Sequence, residues 1–241
     1  MPMIRAAVFG LLFPLALSLP AAAQTADVTD NPPYSIKSGD RPGFYVEVIN
    51  EMAKLLNTKV TYEYMDWGNA MAKVRAGPDQ LLFPFTRNAE REANYGWLQK
   101  LFTNTVLFVS APGSQPIDTI DQAKTLSLIG VLAGAPWDKE LASRGITNVK
   151  HYPTSPAMVA ALKSGELPAA YGPEIELKYA WRAGAFQGAM VEGKPIQKSD
   201  QYLAMSNNSP SIKPDDWHQA FDALQQDGTF DRIYASYLGT K

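Results

Sequence analysis

Strand-like and helix-like segments alternate along this chain in two separate series, and this alternation limits the fold more than any other feature. In the first series, residues 44–56 carry apolar side chains at helical spacing, residues 60–64 form a β-type run, and residues 81–83 are continuously apolar. A helix capped by Asp66 is predicted between the two strands. Such alternation predicts mostly parallel sheets with right-handed crossovers, and two series predict an α/β protein with two lobes.

The second series begins after residues 112–116, which interrupt the longest β-type run of the chain at 101–111. Strands are predicted at 126–131, 149–152 and 167–171, and helices from Pro136, from a cap at Ser155, and over 173–183. A further strand at 201–206 and two short helices separated by Gly228 complete the chain.

The N-terminal residues have the pattern of a secretory signal peptide. Arg5 is followed by an apolar run over residues 6–19, too short to span a bilayer, and small residues then lead to a predicted cleavage site after Ala23. We therefore exclude residues 1–23 from the fold and expect an exported, periplasmic protein. No later stretch is apolar enough over sufficient length to predict a transmembrane helix.

Composition excludes several classes of function. The chain has no cysteine, which rules out disulfides and thiolate chemistry. Its 22 basic and 24 acidic side chains are nearly balanced and form no basic stripe, so a nucleic-acid partner is not expected. His151 and His218 are far apart without ligand spacing around either, so we predict neither a metal site nor a cofactor.

The segment 79–91, DQLLFPFTRNAER, contains the most informative candidate site. A buried strand is predicted to run through Phe85 and Thr86 into a short helix that opens at Asn88 and carries Arg91 on its first turn. Ligands of open α/β sheets collect beyond the carboxyl ends of strands, where a guanidinium can bind a carboxylate through two parallel hydrogen bonds. The alternative is a surface arginine that pairs with Glu90 or Glu92.

Five motifs occur in a fixed order along nearly the whole mature chain. They are residues 32–34 with 43–47 (PPY and GFYVE), 79–91, 130–134 (GVLAG), 160–165 (AALKSG) and 227–234 (DGTFDRIY). Together they resemble the bacterial extracellular solute-binding proteins of the amino-acid-binding type (family 3), the periplasmic partners of ABC importers.

The resemblance implies a two-lobed fold of the periplasmic-binding-protein type (type II), in which two mostly parallel sheets are joined by two crossing strands. The first lobe is expected to comprise residues 24–105 and 203–241, and the second lobe residues 106–202. Ligand is expected in the cleft between them, with hinge rotation closing the lobes around it. The implied partners are a small anionic or carboxylate-bearing ligand and an ABC permease in the membrane, and a monomer is expected.

The residues expected to contact the ligand come from both lobes. Tyr34 follows a rigid Pro-Pro pair, and backbone N–H groups around Gly134 open a helix that can hold an anion. The alternative for the other aromatic candidates is packing on the core, which is the commoner role of such residues at helix starts. The expected ligand-binding set is Arg91, Thr86, Tyr34, Trp67, Phe85, Gly134, Ala135 and Glu174, and no catalytic residue is predicted.

The chain also departs from the family pattern. Ala135 and Pro136 stand where amino-acid binders carry hydroxyl residues, and Pro173 stands where the acid that binds the α-ammonium is usual, with Glu174 one step later. Phe83 and Pro84 replace the usual Ser-Gly pair. We therefore expect a carboxylate without an α-ammonium to bind better than an ordinary amino acid.

Two other functions remain open from the sequence. The first is a periplasmic accessory or sensory subunit of the same fold. The second is a cyclohexadienyl dehydratase-like enzyme in which Glu174 serves as a buried acid. Turnover of prephenate or arogenate would favour the enzyme, and binding without turnover would favour the binding protein.

Overall fold

The structure is a computed structural model, and it describes residues 24–239. The predicted signal peptide therefore lies outside the described residues. The strands are β1 Gln24–Val28, β2 Val60–Tyr64, β3 Gln80–Thr86, β4 Gly96–Ser110, β5 Ile129–Leu132, β6 Val149–Tyr152, β7 Ala169–Pro173, β8 Val191–Glu192 and β9 Gln197–Met205. The helices are α1 Phe44–Leu55, α2 Trp67–Ala76, α3 Ile120–Lys124, α4 Pro136–Ser143, α5 Ser155–Ser164, α6 Glu174–Ala183, α7 Pro214–Gln226 and α8 Thr229–Leu238.

Most predicted elements are present, and the differences have local causes. The cap of α5 is Thr154 rather than Ser155, because the Thr154 hydroxyl accepts the N–H of Ala157. The prediction of a helix that opens at Asn88 is wrong, because residues 89–94 form consecutive turns instead. The sequence analysis did not predict β1, α3 or β8, of which the last has only two residues.

Parallel strands form the centre of each half of the sheet. In the first half, β1 lies between β2 and β3 and is parallel to both. In the second half, β5 lies between β6 and β7 and is parallel to both. We call β1–β3 with α1, α2, α7 and α8 the first lobe, and β5–β7 with α4 and α5 the second lobe.

Two long antiparallel strands connect the halves. β4 has 15 residues and β9 has nine, and they pair from Gly96 opposite Met205 to Val106 opposite Gln197. β9 also pairs with β3, and the far end of β4 pairs with β7, so hydrogen bonding is continuous from one half to the other. The expected fold class, α/β with two lobes joined by two crossing strands, is confirmed, and β4 begins earlier than the sequence indicated.

Helix α6 packs against the cores of both lobes. Ile175 is fully buried with the aromatic core of the first lobe, which includes Phe44 and Tyr45, whereas Leu177 is buried in a core of the second lobe with Trp181. Positions two apart on a helix point about 200° apart, so the two side chains reach opposite sides. No helix within residues 24–239 combines the length and apolarity that crossing a bilayer requires.

Candidate ligand-binding cleft

A cleft of about 480 Å³ lies between the two lobes and is bounded by the crossing strands. The first lobe and its loops contribute Thr29, Asn31, Tyr34, Trp67, Pro84, Thr86 and Arg91 to the lining. The crossing strands contribute Asn104, Val106, Gln197, Ser199 and Gln201, and the helices α4 and α6 contribute Trp137, Glu140 and Glu176. A ligand in this space would touch both lobes at once.

Arg91 lies in the turn that follows β3 and reaches the cleft. Its backbone N–H donates to the Asn88 side-chain oxygen at 3.1 Å, so Asn88 has the hydrogen bond expected of a cap although no helix follows. Its Nη1 donates to the carbonyl of Thr86 at 2.9 Å, and its guanidinium carbon lies 4.4 Å from the centre of the Phe85 ring. Partial burial lowers the pKa of the Arg91 guanidinium.

Arg91 has no ion pair within the described part of the chain, whereas the neighbouring arginine has one. Arg87 donates to both carboxylate oxygens of Glu92, at 2.8 and 2.5 Å, and is exposed. The predicted alternative of a surface ion pair therefore describes Arg87 rather than Arg91. The Arg91 guanidinium keeps donors that face the cleft without a partner charge.

Thr86 lies in the wall of the cleft, and Phe85 is buried behind that wall. The Thr86 hydroxyl accepts from Nε2 of Gln201 on β9 at 2.9 Å, and the same nitrogen donates to Ser199 at 3.1 Å. Phe85 is fully buried and stacks on Trp97 with ring centres 5.4 Å apart. Thr86 and Trp67 line the cleft, as expected, whereas Phe85 supports Arg91 from below and does not line it.

Tyr34 lies in the loop between β1 and α1 and lines the cleft with a buried side chain. Its ring stacks on Tyr45 at 5.3 Å, and burial raises the pKa of its phenol well above 10.0. The phenolic oxygen is buried without a hydrogen-bond partner among the described residues. An unmet hydrogen bond at a cleft wall is costly unless a ligand or water satisfies it.

Two further lining residues have unpaired buried atoms. The Asn104 side-chain oxygen on β4 and the Trp137 indole nitrogen on α4 find no hydrogen-bond partner among residues 24–239. Glu140, on the same helix as Trp137, is paired with Arg144 at 2.8 Å and accepts from the Tyr171 hydroxyl at 3.2 Å. The cleft therefore offers an acceptor from Asn104 and a donor from Trp137.

Besides Phe85, three further residues of the expected set lie away from the cleft lining. Gly134 has φ 74° in the exposed turn after β5, and the N–H of Ala135 donates to the carbonyl of Leu132 at 3.2 Å, so that donor is not free for an anion. Glu174 pairs with Lys178 at 2.5 Å, and Lys178 also pairs with Glu192 at 3.0 Å.

Glu176 lines the cleft where Glu174 was expected to do so. Burial raises the pKa of its carboxyl from 4.5 to about 8. Helical spacing contains a signal for this position, because at about 100° per residue Glu176 lies between the direction of Ile175 and that of Leu177. Glu174 falls on the other side of the helix. The sequence analysis also missed Asn104, Glu140 and Gln201, since nothing in the local pattern marks them as cleft residues.

Comparison with known proteins gives a consistent result. The family model of the bacterial extracellular solute-binding proteins, family 3, matches residues 25–240. The lysine/arginine/ornithine-binding periplasmic protein of Escherichia coli (strain K12) is 25% identical over 234 residues, covering 92% of this chain and 89% of that protein. A probable histidine-binding protein of Neisseria gonorrhoeae is 20% identical over 204 residues, 83% of this chain and 76% of that protein.

Solved structures share the fold at lower identity. An ancestral cationic amino acid solute-binding protein superposes with a TM-score of 0.75 at 16% identity, covering 90% of this chain and 95% of that one. Substrate-binding domain 2 of Lactococcus lactis GlnP in an open conformation gives 0.72 at 17% identity, with 91% and 96% covered. The chain belongs to the bacterial extracellular solute-binding proteins of family 3.

Proposed function

We propose that this protein captures a small carboxylate-bearing ligand in the cleft and delivers it to an ABC importer. The observation that carries the proposal is the Arg91 guanidinium, which lines the cleft without an ion pair among the described residues. Arginine can bind a carboxylate through two parallel charge-assisted hydrogen bonds. Since burial disfavours the lone cation, an anionic ligand gains by neutralising it.

The unpaired atoms of the cleft support binding by both lobes. Tyr34 belongs to the first lobe, Asn104 to a crossing strand and Trp137 to the second lobe. A ligand that satisfies all three would favour the closed arrangement, because those hydrogen bonds exist only when the lobes meet around it. We propose residues 24–105 and 203–241 as one rigid unit and residues 106–202 as the other.

Export and transport form part of the same proposal. The signal-peptide pattern of residues 1–23 and the periplasmic location named for the Escherichia coli relative support a periplasmic protein. The names of the curated relatives support a ligand related to amino acids. Within that class, the replacement of the usual ammonium-binding acid by Pro173 supports a carboxylate that lacks an α-ammonium. We further propose that the protein acts as a monomer.

The two alternative functions are the dehydratase-like enzyme and the sensory subunit. The dehydratase-like alternative relied on Glu174 as a cleft acid, and Glu174 is instead held by Lys178 outside the cleft lining. A sensory role rests on the fold alone, since the sensor domain of a histidine kinase superposes with a TM-score of 0.66 at 16% identity.

Co-purification tests the proposal. We expect native mass spectrometry of the protein, exported and purified without unfolding, to detect a bound small acid. Arg91→Ala should lose this mass, whereas the neighbouring control Arg87→Ala should retain it, because Arg87 is already paired with Glu92. Retention of the same compound by Arg91→Ala, at equal occupancy and with an unchanged melting temperature, would refute the carboxylate site.

A further inference from the structure

The cleft lining contains two acidic groups, Glu140 and Glu176, and of these Glu176 has no ion pair among the described residues. Its two neighbours on α6 are buried in different lobes, Ile175 in the first and Leu177 in the second. Glu176 points between the directions of Ile175 and Leu177, and therefore toward the boundary between the two lobes. Its side chain is therefore held at the cleft by packing on either side.

No positive charge within residues 24–239 pairs with Glu176. The lysine of its own helix, Lys178, pairs with Glu174 and Glu192. The titratable groups that share the cleft lining are Tyr34, Arg91 and Glu140. None of the ion pairs or hydrogen bonds of the described residues joins any of them to Glu176, and Glu140 has its own partner in Arg144.

An unpaired carboxyl group in such a place is more stable in its neutral form. Burial of a carboxylate without a partner costs several kcal/mol, and the group takes up a proton instead. The raised pKa of Glu176 agrees with this geometry. In the empty cleft it keeps the carboxyl group of Glu176 protonated at neutral pH. A protonated carboxyl group donates one hydrogen bond through its O–H.

Resting on the proposed function, we infer that Glu176 is a specificity-determining residue that donates a hydrogen bond to an uncharged acceptor on the ligand. Arg91 then supplies the only positive charge among the lining residues, and a neutral Glu176 leaves that charge for a single carboxylate. The ligand class is a monocarboxylate whose second polar group is a ketone, ester or amide oxygen. An ammonium in that position can only donate, so its binding would instead require Glu176 to release its proton to solvent and become a carboxylate.

Matched pairs of probes separate these two chemistries. The oxo probes are 4-oxopentanoate, 5-oxohexanoate and 4-oxo-4-phenylbutanoate, and the amino probes are 4-aminopentanoate, 5-aminohexanoate and 4-amino-4-phenylbutanoate. Each is titrated calorimetrically into the mature protein at pH 6 and pH 9. We expect the best oxo probe to bind at least about 10-fold more tightly than its amino partner at pH 6.

The pH dependence identifies the donor. With a pKa of about 8 in the empty cleft, roughly one-tenth of Glu176 stays protonated at pH 9, so the affinity for the oxo probe should fall about 10-fold. Glu176→Gln should remove this fall while its amide N–H keeps binding at pH 6 within about threefold. Glu174→Gln is the matched control on the same helix and should behave like the wild type.

Each other outcome would overturn the inference. These are tighter binding by the amino member of the best pair, an oxo affinity equal at pH 6 and pH 9, a fall that persists in Glu176→Gln, and no binding by any oxo probe. Arg91→Ala distinguishes this failure from failure of the proposed function. If amino probes bind and lose affinity in Arg91→Ala, the carboxylate site stands and only the role of Glu176 is wrong. If Arg91→Ala leaves the affinity of every bound probe unchanged, the proposed function also fails.

Discussion

Arg91 and Arg87 lie four residues apart after the same strand, and their surroundings give them different chemistry. Arg87 is exposed, and its guanidinium donates to both carboxylate oxygens of Glu92. Exposed ion pairs of this kind contribute little to stability in water. Arg91 is partly buried over Phe85 and is anchored through one nitrogen to the Thr86 carbonyl. The anchored arginine is preorganised, so less conformational entropy is lost when it binds an anion.

The affinity of Arg91 variants for the co-purified compound follows from this difference. We expect Arg91→Ala to weaken binding by about 2–5 kcal/mol, roughly 30-fold to several thousandfold, since a buried anion loses its partner. Arg91→Lys should fall between wild type and alanine, because an ammonium cannot reproduce the bidentate fork. Calorimetry measures both, with Arg87→Ala expected within about threefold of wild type. Equal affinity for wild type and Arg91→Ala would contradict the assignment.

Glu176 should make the stability of the empty protein depend on pH. Its pKa is about 8 in the folded protein against an ordinary value of 4.5, so the native state binds the proton more tightly than the unfolded chain. The resulting stabilisation is complete below pH 4.5 and is lost as pH rises through 8. Discounted for partial exposure, the loss is about 2–4 kcal/mol.

Urea denaturation of wild type and Glu176→Gln at pH 5, 6, 7, 8 and 9 measures this effect. The difference in unfolding free energy between the two proteins should change in favour of the variant as pH rises. Glu174→Gln is the control, and its difference in unfolding free energy from wild type should change less with pH than that of Glu176→Gln. Parallel curves for wild type and Glu176→Gln over this range would show that the carboxyl is ionised throughout.

At the scale of elements, α6 is the helix that joins the two lobes outside the crossing strands. One side of the helix contributes Ile175 and Tyr179 to the first lobe, and another contributes Leu177 and Trp181 to the second. Because Glu176 lies between these sides, a change in the angle between the lobes must also move the cleft wall.

Shortening two buried side chains of α6, two positions apart, should separate the effect on stability from the effect on the arrangement of the lobes. Ile175→Ala and Leu177→Ala each remove a buried side chain and should cost about 2–5 kcal/mol of unfolding free energy. Helix α6 follows β7 of the second lobe directly, so only Ile175→Ala removes packing against the other lobe. Only this variant should therefore change the small-angle X-ray scattering profile of the ligand-free protein. Identical profiles for the two variants would mean that α6 does not hold the lobes together.

The loop that positions Tyr34 depends on a glycine at its end. Gly43 has φ 108°, and a Cβ there would lie 2.7 Å from both the Tyr34 carbonyl oxygen and the Ser35 Cα. Gly43→Ala should therefore cost about 2 kcal/mol or more and displace Tyr34 from the cleft. Gly68→Ala is the control, because a Cβ at that helical position meets nothing within 4 Å.

Thermal denaturation and ligand titration measure the two consequences for Gly43→Ala. We expect a lower melting temperature and weaker binding of the co-purified compound, whereas Gly68→Ala should stay within about 1 kcal/mol of wild type. Unchanged binding by Gly43→Ala would show that Tyr34 does not contribute to the ligand site.

At the scale of the whole molecule, the two lobes have separate cores and share the long strands β4 and β9. Sheets bend more readily where two strands are alone than where many strands pair and pack. Between the paired regions, residues 103–105 of β4 are opposite residues 198–200 of β9 and have no other strand beside them. This short two-stranded region is where hinge rotation is expected.

Fluorescence energy transfer between introduced cysteines can detect closure without interference, because the chain has no native cysteine. Lys59→Cys and Thr147→Cys place exposed labels before β2 in the first lobe and before β6 in the second. We expect transfer efficiency to change when the co-purified compound binds, and the same pair combined with Arg91→Ala should not respond at that concentration. A response that survives Arg91→Ala would separate closure from carboxylate binding.

The sequence by itself determined most of the elements, the two-lobed class and the region of the site. Residues 60–64 and 149–152 became strands with the predicted bounds, and in residues 60–64 the apolar side chains alternate, a pattern that depends on local spacing alone. The position of Arg91 beyond β3 followed in the same way, from a buried strand that ends in a turn. The short helix expected there did not form, although the Asn88 hydrogen bond did.

Only the tertiary structure decided which polar groups are free to bind. Arg91 has no ion pair among the described residues whereas Arg87 pairs with Glu92, and Thr86 is held by Gln201, a residue 115 positions away along the chain. Glu176 replaced Glu174 as the cleft acid because packing against two different lobes set the rotation of α6. These outcomes depend on contacts between distant segments, and local spacing carries no information about which side of a helix will meet a second lobe.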